Sequence, residues 1–369
     1  MDLGASKTVN FLDKYGYLEL WSILSLVMMA ISPMYGYVTL LGLVLYIVLM
    51  VKCIHSSSYS YPLWLMVLLA SLSTIWGAVG LAFEEVFKLS ILILLISTYK
   101  FIKVKFDDVL SAFFYVIFLT VLLYPFLQHS GRFSSIFNHP NNLAYTIVLL
   151  SAYFLSKGDF KWVRFFIATT LILLSGSSGG VIAIFLVYAT YFYKNSKFQM
   201  LYFVLLIAFS IVIINFAQEL PVFSSIYEKI SALDVYTVVD KSEVLSFGNS
   251  SSFVWRITYW LALLNEYSYM DMFHKAVGLG VGAMSYGNYA YDWMVTDPHN
   301  DYVRILMERG WFFGAVYLVG FYYLIKNSGL GLYSIPAIFL PMSIGNLLSN
   351  SCLLLILVIL IIRSKYEKL

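Results

Sequence analysis

Long apolar runs recur along almost the whole chain, and they constrain its fold more than any other feature. Hydropathy predicts twelve spans, centred near residues 25, 45, 72, 95, 118, 149, 169, 187, 208, 317, 340 and 356. Runs of about 17–25 apolar residues are typical of transmembrane helices. Of the 369 residues, 61% are hydrophobic and 12% are charged, which excludes an ordinary soluble domain. We therefore predict an all-α, polytopic membrane protein with about 12 transmembrane helices, in which residues 1–369 form a single integral membrane domain.

The distribution of basic residues indicates which way the chain crosses the membrane. With the N-terminus in the cytoplasm, 15 of the 23 Lys and Arg residues lie in cytoplasmic segments, and every short cytoplasmic loop carries at least one. This arrangement predicts that both termini are cytoplasmic. Lys88 and Arg132 then lie in short outer loops, whereas Cys53 and Cys352 lie at opposite membrane faces, too far apart for a disulfide. The net charge of +3 gives no reason to expect a nucleic-acid partner.

One outer connection, residues 218–302, is much longer than the others. Connections longer than about fifteen residues in compact proteins are usually functional or disordered. This one holds an amphipathic run over Phe253–Glu266, the glycine-rich stretch Gly278–Gly282 and a cluster of aromatic residues. No βαβ pattern surrounds the glycines, so they do not predict a dinucleotide site. We predict an outer loop with short amphipathic helices that carries part of an active site.

The polar stretch Asp297–Arg304 lies where this loop re-enters an apolar segment. Asp297 is a good N-cap and Pro298 a good first helical residue, so the pattern predicts a helix that begins at Pro298. His299 would then lie in the first turn, where the positive end of the helix dipole disfavours imidazolium. A neutral histidine among polar groups can accept a proton. The alternative is that the stretch is only a polar helix start.

Arg256 is the first candidate for binding an anionic group. Three serines precede its amphipathic run and can cap it, and free N–H groups with a guanidinium suit a phosphate or pyrophosphate. The residue shares a helical face with Tyr259 and Trp260. The alternative is an arginine that extends from an interfacial helix towards the lipid surface.

Arg132 is the second candidate, and it precedes the segment Phe137–Asn142. Asn138 or His139 ahead of Pro140 predicts a turn into a helix. Arg132 is expected on the same outer face as Arg256 and His299. An arginine that pairs with lipid phosphate is the alternative.

Three further patterns are weaker. The small residues of Ser175–Gly180 suit close helix packing or an anion site, and we favour packing. Arg304 can pair with Asp301 and Glu308 at helical spacing. The five histidines show no metal-ligand spacing with cysteine or carboxylates, so we predict no metal held by the protein.

Taken in their order along the chain, the segments described above resemble the O-antigen polymerase/ligase superfamily. They contain Arg132 and His139, Ser175–Gly180, Arg256, Gly278–Gly282 and His299. The resemblance covers roughly residues 132–325, and Pro298–Tyr302 followed by Glu308–Gly310 is its most specific part. We call Ser175–Gly180 the serine-glycine link. Members of the superfamily often have Ser-Arg in this link, whereas Ser177 and Ser178 stand here without arginine. We therefore assign that link no catalytic role.

The resemblance implies a metal-independent, inverting membrane glycosyltransferase of the bacterial cytoplasmic (inner) membrane, with no cofactor. It would join undecaprenyl-pyrophosphate-linked repeat units of O-antigen or a related surface polysaccharide on the periplasmic face. His299, Arg256 and Arg132 would be catalytic. The residues expected to bind substrate are Asn300, Asp301, Arg304, His139, Asn141, Tyr259 and Trp260. The expected partners are the lipid-linked glycan donor and acceptor and membrane lipids, with a chain-length regulator and a flippase as further candidates.

Two alternatives remain open. A ligase that transfers the finished glycan to lipid A-core shares the loop plan and the motifs. A flippase for lipid-linked oligosaccharides also has about twelve spans, and charges within the membrane would favour it. The concentration of polar residues on one outer face favours an enzyme.

Overall fold

The computed structural model describes residues 17–32, 37–38, 41, 68, 72, 79–97, 105–129, 131–195, 252–285, 288–294, 297–348 and 350–366. Most of them are helical, which confirms the all-α class. The helices are α1 (Tyr17–Ile31), α2 (Val79–Ser97), α3 (Phe106–Leu119), α4 (Pro140–Ser156), α5 (Trp162–Ser175), α6 (Ser178–Asn195), α7 (Ser252–Tyr269), α8 (Met272–Val277), α9 (Asp301–Asn327), α10 (Leu340–Ile344) and α11 (Ser351–Tyr366).

Shorter elements complete the described part of the chain. A 3₁₀ segment, Thr120–Phe126, continues α3 and leads into a hairpin of two strands, β1 (Gln128–His129) and β2 (Arg132–Phe133). A 3₁₀ turn at Gly331–Tyr333 and a π-helical segment at Ile335–Phe339 precede α10.

Helix α11 lies at the centre of the fold. Its residues from Ser351 to Ile362 are all buried, as expected for a helix that is apolar on every side. Helices α1, α2, α3, α4 and α9 pack against it. A smaller apolar cluster joins α7, the loop after α8 and the first turns of α9. This cluster packs the loop after α8 against α7 and α9.

The helices agree with most of the predicted spans. The centres near residues 25, 95, 118, 149, 169, 187, 317, 340 and 356 each fall in a helical segment. Those near 45, 72 and 208 fall where at most isolated residues are described. The number of twelve spans therefore stays a prediction.

Length and apolar composition together separate one helical segment from the others. Among the described residues, the 21-residue helix Phe106–Phe126 is long and apolar enough to cross a membrane. Shorter apolar helices are Glu19–Ile31, Trp162–Ser175, Gly331–Ile344 and Ser351–Ser364.

Lys88 does not lie where the sequence predicts it, and part of the predicted long loop lies outside the described residues. Lys88 does not lie in a short outer loop, because α2 begins at Val79 and includes it. The ammonium donates a hydrogen bond to the carbonyl of Leu348, at 3.4 Å. Of the predicted loop 218–302, residues 218–251 lie outside the described part, as does Cys53.

Candidate active site

Arg132 is held by three neighbouring parts of the fold. It lies in the β1–β2 hairpin, opposite His129. Its Nε donates to the carbonyl of Ser175, at 2.7 Å, and its Nη2 donates to Oδ1 of Asn141, at 3.1 Å. The side chain passes over Gly176, where an added Cβ would lie 3.2 Å from Arg132 Nε. Arg132 is thus fixed between the start of α4 and the α5–α6 connection.

His139 is the N-cap of α4. Its backbone is extended, its ring Nδ1 accepts a hydrogen bond from the backbone N–H of Asn141 at 3.1 Å, and Pro140 is the first helical residue. The predicted turn into a helix at Pro140 is confirmed. Because Nδ1 accepts this bond, the cap fixes the orientation of the imidazole. The His139 and His129 ring centroids are 5.6 Å apart.

The serine-glycine link brings α6 close to α4 and α10. An added Cβ would lie 2.6 Å from Cδ1 of Ile344 at Gly179 and 2.7 Å from Cβ of Ala144 at Gly180. Neither position has room for a side chain. Ser177 Oγ accepts from the N–H of Gly180, at 3.2 Å. The interpretation of the link as a packing motif is confirmed.

Arg256 reaches the same region from α7. Its Nη1 donates to the carbonyl of Ile344, at 3.0 Å, where α10 ends. Its Nε is buried and has no hydrogen-bond partner among the described residues. The next residue in the α10 segment, Gly345, lies against the ring of Tyr145, and an added Cβ would be 2.7 Å from Tyr145 Cε2. The guanidinium therefore sits at the break after α10.

The helix near His299 begins later than the sequence predicts. Asn300, and not Asp297, is the N-cap, and its Oδ1 accepts from the N–H groups of Tyr302 and Val303 at 3.0 and 3.1 Å. His299 precedes the helix with a φ of 50°, in the left-handed region. The indole N–H of Trp260 donates to the carbonyl of Pro298. This contact uses a carbonyl that a helix beginning at Pro298 would need for its own first hydrogen bonds.

An amide side chain from the other side of the site contacts His299. Nδ2 of Asn346 lies 3.3 Å from Nδ1 of His299 and donates to Oδ2 of Asp297 at 3.1 Å. Burial, followed by the positive charge of Arg256, lowers the pKa of His299 to about 4. The imidazole is therefore neutral near pH 7, as expected, but burial replaces the helix dipole as the cause. Burial raises the pKa of Asp297, and the charge of Arg304 partly opposes this.

The side chains of Asn300 and Asp301 accept hydrogen bonds from backbone N–H groups. The Asn300 amide caps α9, as described above. Asp301 is fully buried, and its Oδ2 accepts from the N–H of Leu348 at 3.0 Å. Its Oδ1 has no hydrogen-bond partner among the described residues. Asn300 thus caps α9, and Asp301 fixes α9 against the chain that follows Asn346. The expected contacts of both residues with substrate stay a prediction.

Arg304 faces the glycine-rich loop. Its Nε lies 3.3 Å from Oε1 of Glu308, so the predicted i,i+4 pair is present, and its Nη2 donates to Ser285 Oγ at 2.8 Å. Glu308 Oε1 also accepts from the N–H groups of Gly282 and Met284, both at 3.2 Å. Arg304 thereby stabilises the loop against α9, and its expected role in substrate binding stays a prediction.

Behind these residues lies a cavity of about 140 Å³ between α2 and α9. Its charged lining comprises Glu84, Glu85, Lys88, Asp301, Arg304, Glu308 and Arg309. Arg309 forms an ion pair with Glu85, and its guanidinium lies over the ring of Tyr317, 4.1 Å from the centroid. Sequence reasoning found few firm charges within the spans, because it placed Lys88 in a loop. The ion pair between Glu85 on α2 and Arg309 on α9 explains how Arg309 is buried.

Tyr259 and Trp260 have different surroundings. Tyr259 is fully buried in the smaller apolar cluster, where its ring meets Trp293 edge-on at 5.6 Å. Trp260 holds the segment that carries His299, through Pro298. Their expected role in orienting sugars stays a prediction.

The groups that lower the pKa of His139 come from several parts of the fold. Burial is the largest cause that lowers its pKa to about 4, followed by the charges of Arg132, His129, His299 and Arg256. These groups come from the hairpin, the start of α4, α7 and the segment before α9. The site therefore combines two guanidinium groups with neutral imidazoles, an arrangement suited to an anion. The described residues include no group of three or more His, Cys, Asp and Glu that could hold a metal.

Asn346 was not identified from the sequence. It follows Gly345 in an apolar segment that contains two prolines, Pro336 and Pro341. Proline and glycine within such a segment indicate a broken helix, and broken helices within membranes usually line sites. That signal could have located the residue, but not its partners, which lie 47 and 49 positions earlier in the chain.

The family model for O-antigen ligase matches residues 163–319. This match supports the resemblance of the chain to the O-antigen polymerase/ligase superfamily. The match covers less than half of the chain, from the start of α5 into α9, and includes Arg256 and His299. Arg132, His139 and Asn346 lie outside the matched residues. A search of curated proteins found no match.

The match supports a membrane protein with a function of the O-antigen ligase or polymerase type, and it suggests an enzyme that transfers glycan.

Proposed function

We propose that this protein is a polymerase of undecaprenyl-pyrophosphate-linked repeat units. It would act at the periplasmic face of the bacterial inner membrane, with both termini in the cytoplasm. Both of its substrates are lipid-linked glycans, one as donor and one as acceptor.

The convergence of Arg132, Arg256 and neutral His299 carries the proposal. Arg132 and Arg256 come from distant parts of the chain, yet the charges of both lower the pKa of His139. Arg132 contacts the α5–α6 connection, and Arg256 contacts the break after α10. A pyrophosphate needs positive donors, and two guanidinium groups can supply them without a metal ion.

The reaction follows from these groups. A hydroxyl oxygen of the acceptor sugar forms a bond to the anomeric carbon of the donor, and the bond from that carbon to the pyrophosphate oxygen breaks. Its electron pair leaves on undecaprenyl pyrophosphate, where Arg132 and Arg256 stabilise the added negative charge. The hydroxyl proton passes to neutral His299, the general base. Attack opposite the leaving group inverts the anomeric centre.

A ligase is the second candidate, because the family whose model matches is described as O-antigen ligase. The preference for a polymerase rests on the segment Phe137–Asn142, which resembles the polymerase side of the superfamily. Both enzymes would use the same donor and the same site. They differ in the acceptor.

Deletion of the gene in a Gram-negative host separates the candidates. Loss of a polymerase should leave lipopolysaccharide capped by one repeat unit, because the ligase still transfers the monomer. Core without any repeat, together with long chains on undecaprenyl pyrophosphate, would identify a ligase instead. Core without repeats and no long lipid-linked chains would identify a flippase.

A further inference from the structure

Asn346 connects an acid to the imidazole of the candidate site. Its amide nitrogen is 3.1 Å from Asp297 Oδ2 and 3.3 Å from His299 Nδ1. An ionised carboxylate only accepts hydrogen bonds, so the amide must turn an N–H towards Asp297. The second hydrogen of the same NH₂ group then faces His299 Nδ1, which must carry a lone pair. In this arrangement the hydrogen of the neutral imidazole is on Nε2.

The reverse arrangement is equally self-consistent. When Asp297 is protonated, it can donate to the amide oxygen of a rotated Asn346. That oxygen then accepts a hydrogen bond from Nδ1–H of His299, and Nε2 carries the lone pair. A base that acts through Nε2 requires this second arrangement, since a neutral imidazole has one donor and one acceptor nitrogen.

We propose that Asn346 is a positioning residue that links the proton on Asp297 to the choice of the protonated nitrogen on His299. The kinetic part of this inference rests on the proposed function, whereas the tautomer itself does not. With Asp297 ionised, His299 presents a donor at Nε2. With Asp297 neutral, Nε2 becomes a proton acceptor.

The surroundings favour a response at Asp297. The charged and titratable groups that face the three residues are Arg256 and Tyr259 on α7, Arg304 on α9 and His139 at the start of α4. The two arginines keep their charge over the working pH range, and the pKa of Tyr259 is raised by burial. Burial lowers the pKa of His139 and His299 to about 4 and raises that of Asp297. Because burial raises its pKa, Asp297 holds its proton to a higher pH than an exposed aspartate does.

The direct test is nitrogen NMR of the purified full chain, labelled with ¹⁵N-histidine in detergent. Protonated and lone-pair nitrogens of imidazole differ widely in chemical shift, and subtraction of the His299→Gln spectrum assigns the signals. The wild type should change from Nε2–H to Nδ1–H as pH falls and Asp297 takes a proton. In Asn346→Leu the tautomer should no longer depend on pH. A tautomer that stays the same in the wild type across this range would overturn the proposal.

The kinetic test uses the glycan transfer reaction. Asn346→Leu should lower kcat about 100-fold, the usual contribution of a base, with the donor KM within about twofold. Asn346→Asp accepts from Nδ1–H and shares one proton with Asp297, so Nε2 stays an acceptor. It should keep more activity than Asn346→Leu, and its acid limb should move to higher pH because a carboxylate raises the pKa of His299.

Asn350→Asp is the matched control, because Asn350 Oδ1 accepts from the N–H of Leu353 as a cap of α11 and Asp caps equally well. It should keep the wild-type pH profile. A wild-type kcat and pH profile in Asn346→Leu would contradict the proposal. If no glycan transfer is found in the wild type, the proposed function fails while the NMR result still decides the role of Asn346.

Discussion

Gly278 and Gly310 meet backbone to backbone where the glycine-rich loop joins α9. Gly278 has φ 78° and ψ −178°, and Gly310 has φ 64° and ψ −177°. An added Cβ would lie 2.3 Å from the backbone N of Arg309 at the first position and 2.4 Å from the backbone C of Ala276 at the second. The chain thus uses two glycines in the same glycine-only conformation to hold the loop next to Glu308 and Arg309.

Alanine at either glycine should destabilise the protein strongly. The conformation alone costs about 1–3 kcal/mol for a residue with a Cβ, and the backbone contact adds a clash that no rotamer can relieve. Gly331→Ala is the matched control, because Gly331 also has positive φ but nothing lies within 4 Å of an added Cβ. We expect a much larger fall in Tm for Gly278→Ala and Gly310→Ala than for Gly331→Ala. Equal Tm values for all three variants in detergent would contradict the close approach.

Lysine should replace neither Arg132 nor Arg256 well. Arg132 uses Nε and Nη2 on two different acceptors, and an ammonium lacks this planar fork. The loss of one hydrogen bond to a charged group costs about 1.5–3 kcal/mol, so kcat/KM should fall at least about tenfold. Arg164→Lys is the control, because Arg164 contacts Asp159 and Ser111, away from the site. Full activity in Arg256→Lys would indicate that only a positive charge is needed.

His299 should make the protein less stable in acid. Its pKa is lowered from 6.5 to about 4 in the folded state, so the unfolded chain binds more protons between these values. The stabilising contribution of neutral His299 is fully present above about pH 6.5 and is lost as pH falls towards 4. Between pH 7.5 and 4.5, the Tm of His299→Asn should therefore fall less than that of the wild type. Equal slopes for the two proteins would contradict the buried imidazole.

The sequence was informative where local patterns decide the structure. The start of α4 at Pro140 and the Arg304–Glu308 pair each depend on residues a few positions apart. The small residues of Ser175–Gly180 are also a local pattern, although their packing partners Ala144 and Ile344 are distant in the chain. The start of α9 was wrong by several residues, since both Asp297 and Asn300 are good caps. Contacts from distant parts of the chain decide between them.

Those distant contacts were beyond sequence reasoning for a physical reason. Trp260 binds the carbonyl of Pro298 and Asn346 binds Asp297, so the cap depends on helix α7 and on the segment between α10 and α11 being in place. The burial of Arg309 likewise depends on Glu85, 224 positions away. No local pattern encodes such pairings.

The orientation of the chain can be tested with single cysteines in a background without Cys53 and Cys352. Gln128→Cys lies in the exposed β1 strand after the long helix Phe106–Phe126, and Lys161→Cys lies at the exposed start of α5. A membrane-impermeant thiol reagent should label Gln128→Cys in intact cells and Lys161→Cys only after lysis. Labelling of Lys161→Cys in sealed cells would reverse the orientation.

The most direct test of the proposed chemistry uses the purified protein in lipid nanodiscs with an undecaprenyl-pyrophosphate-linked repeat unit and excess EDTA. The wild type and His274→Ala should both produce a ladder of longer lipid-linked chains. His299→Ala should lower kcat about 10²–10⁴-fold while it still binds the donor, since a base acts mainly in the transition state. A ladder formed by His299→Ala at the wild-type rate, or a wild-type reaction abolished by EDTA, would contradict the metal-free mechanism centred on His299.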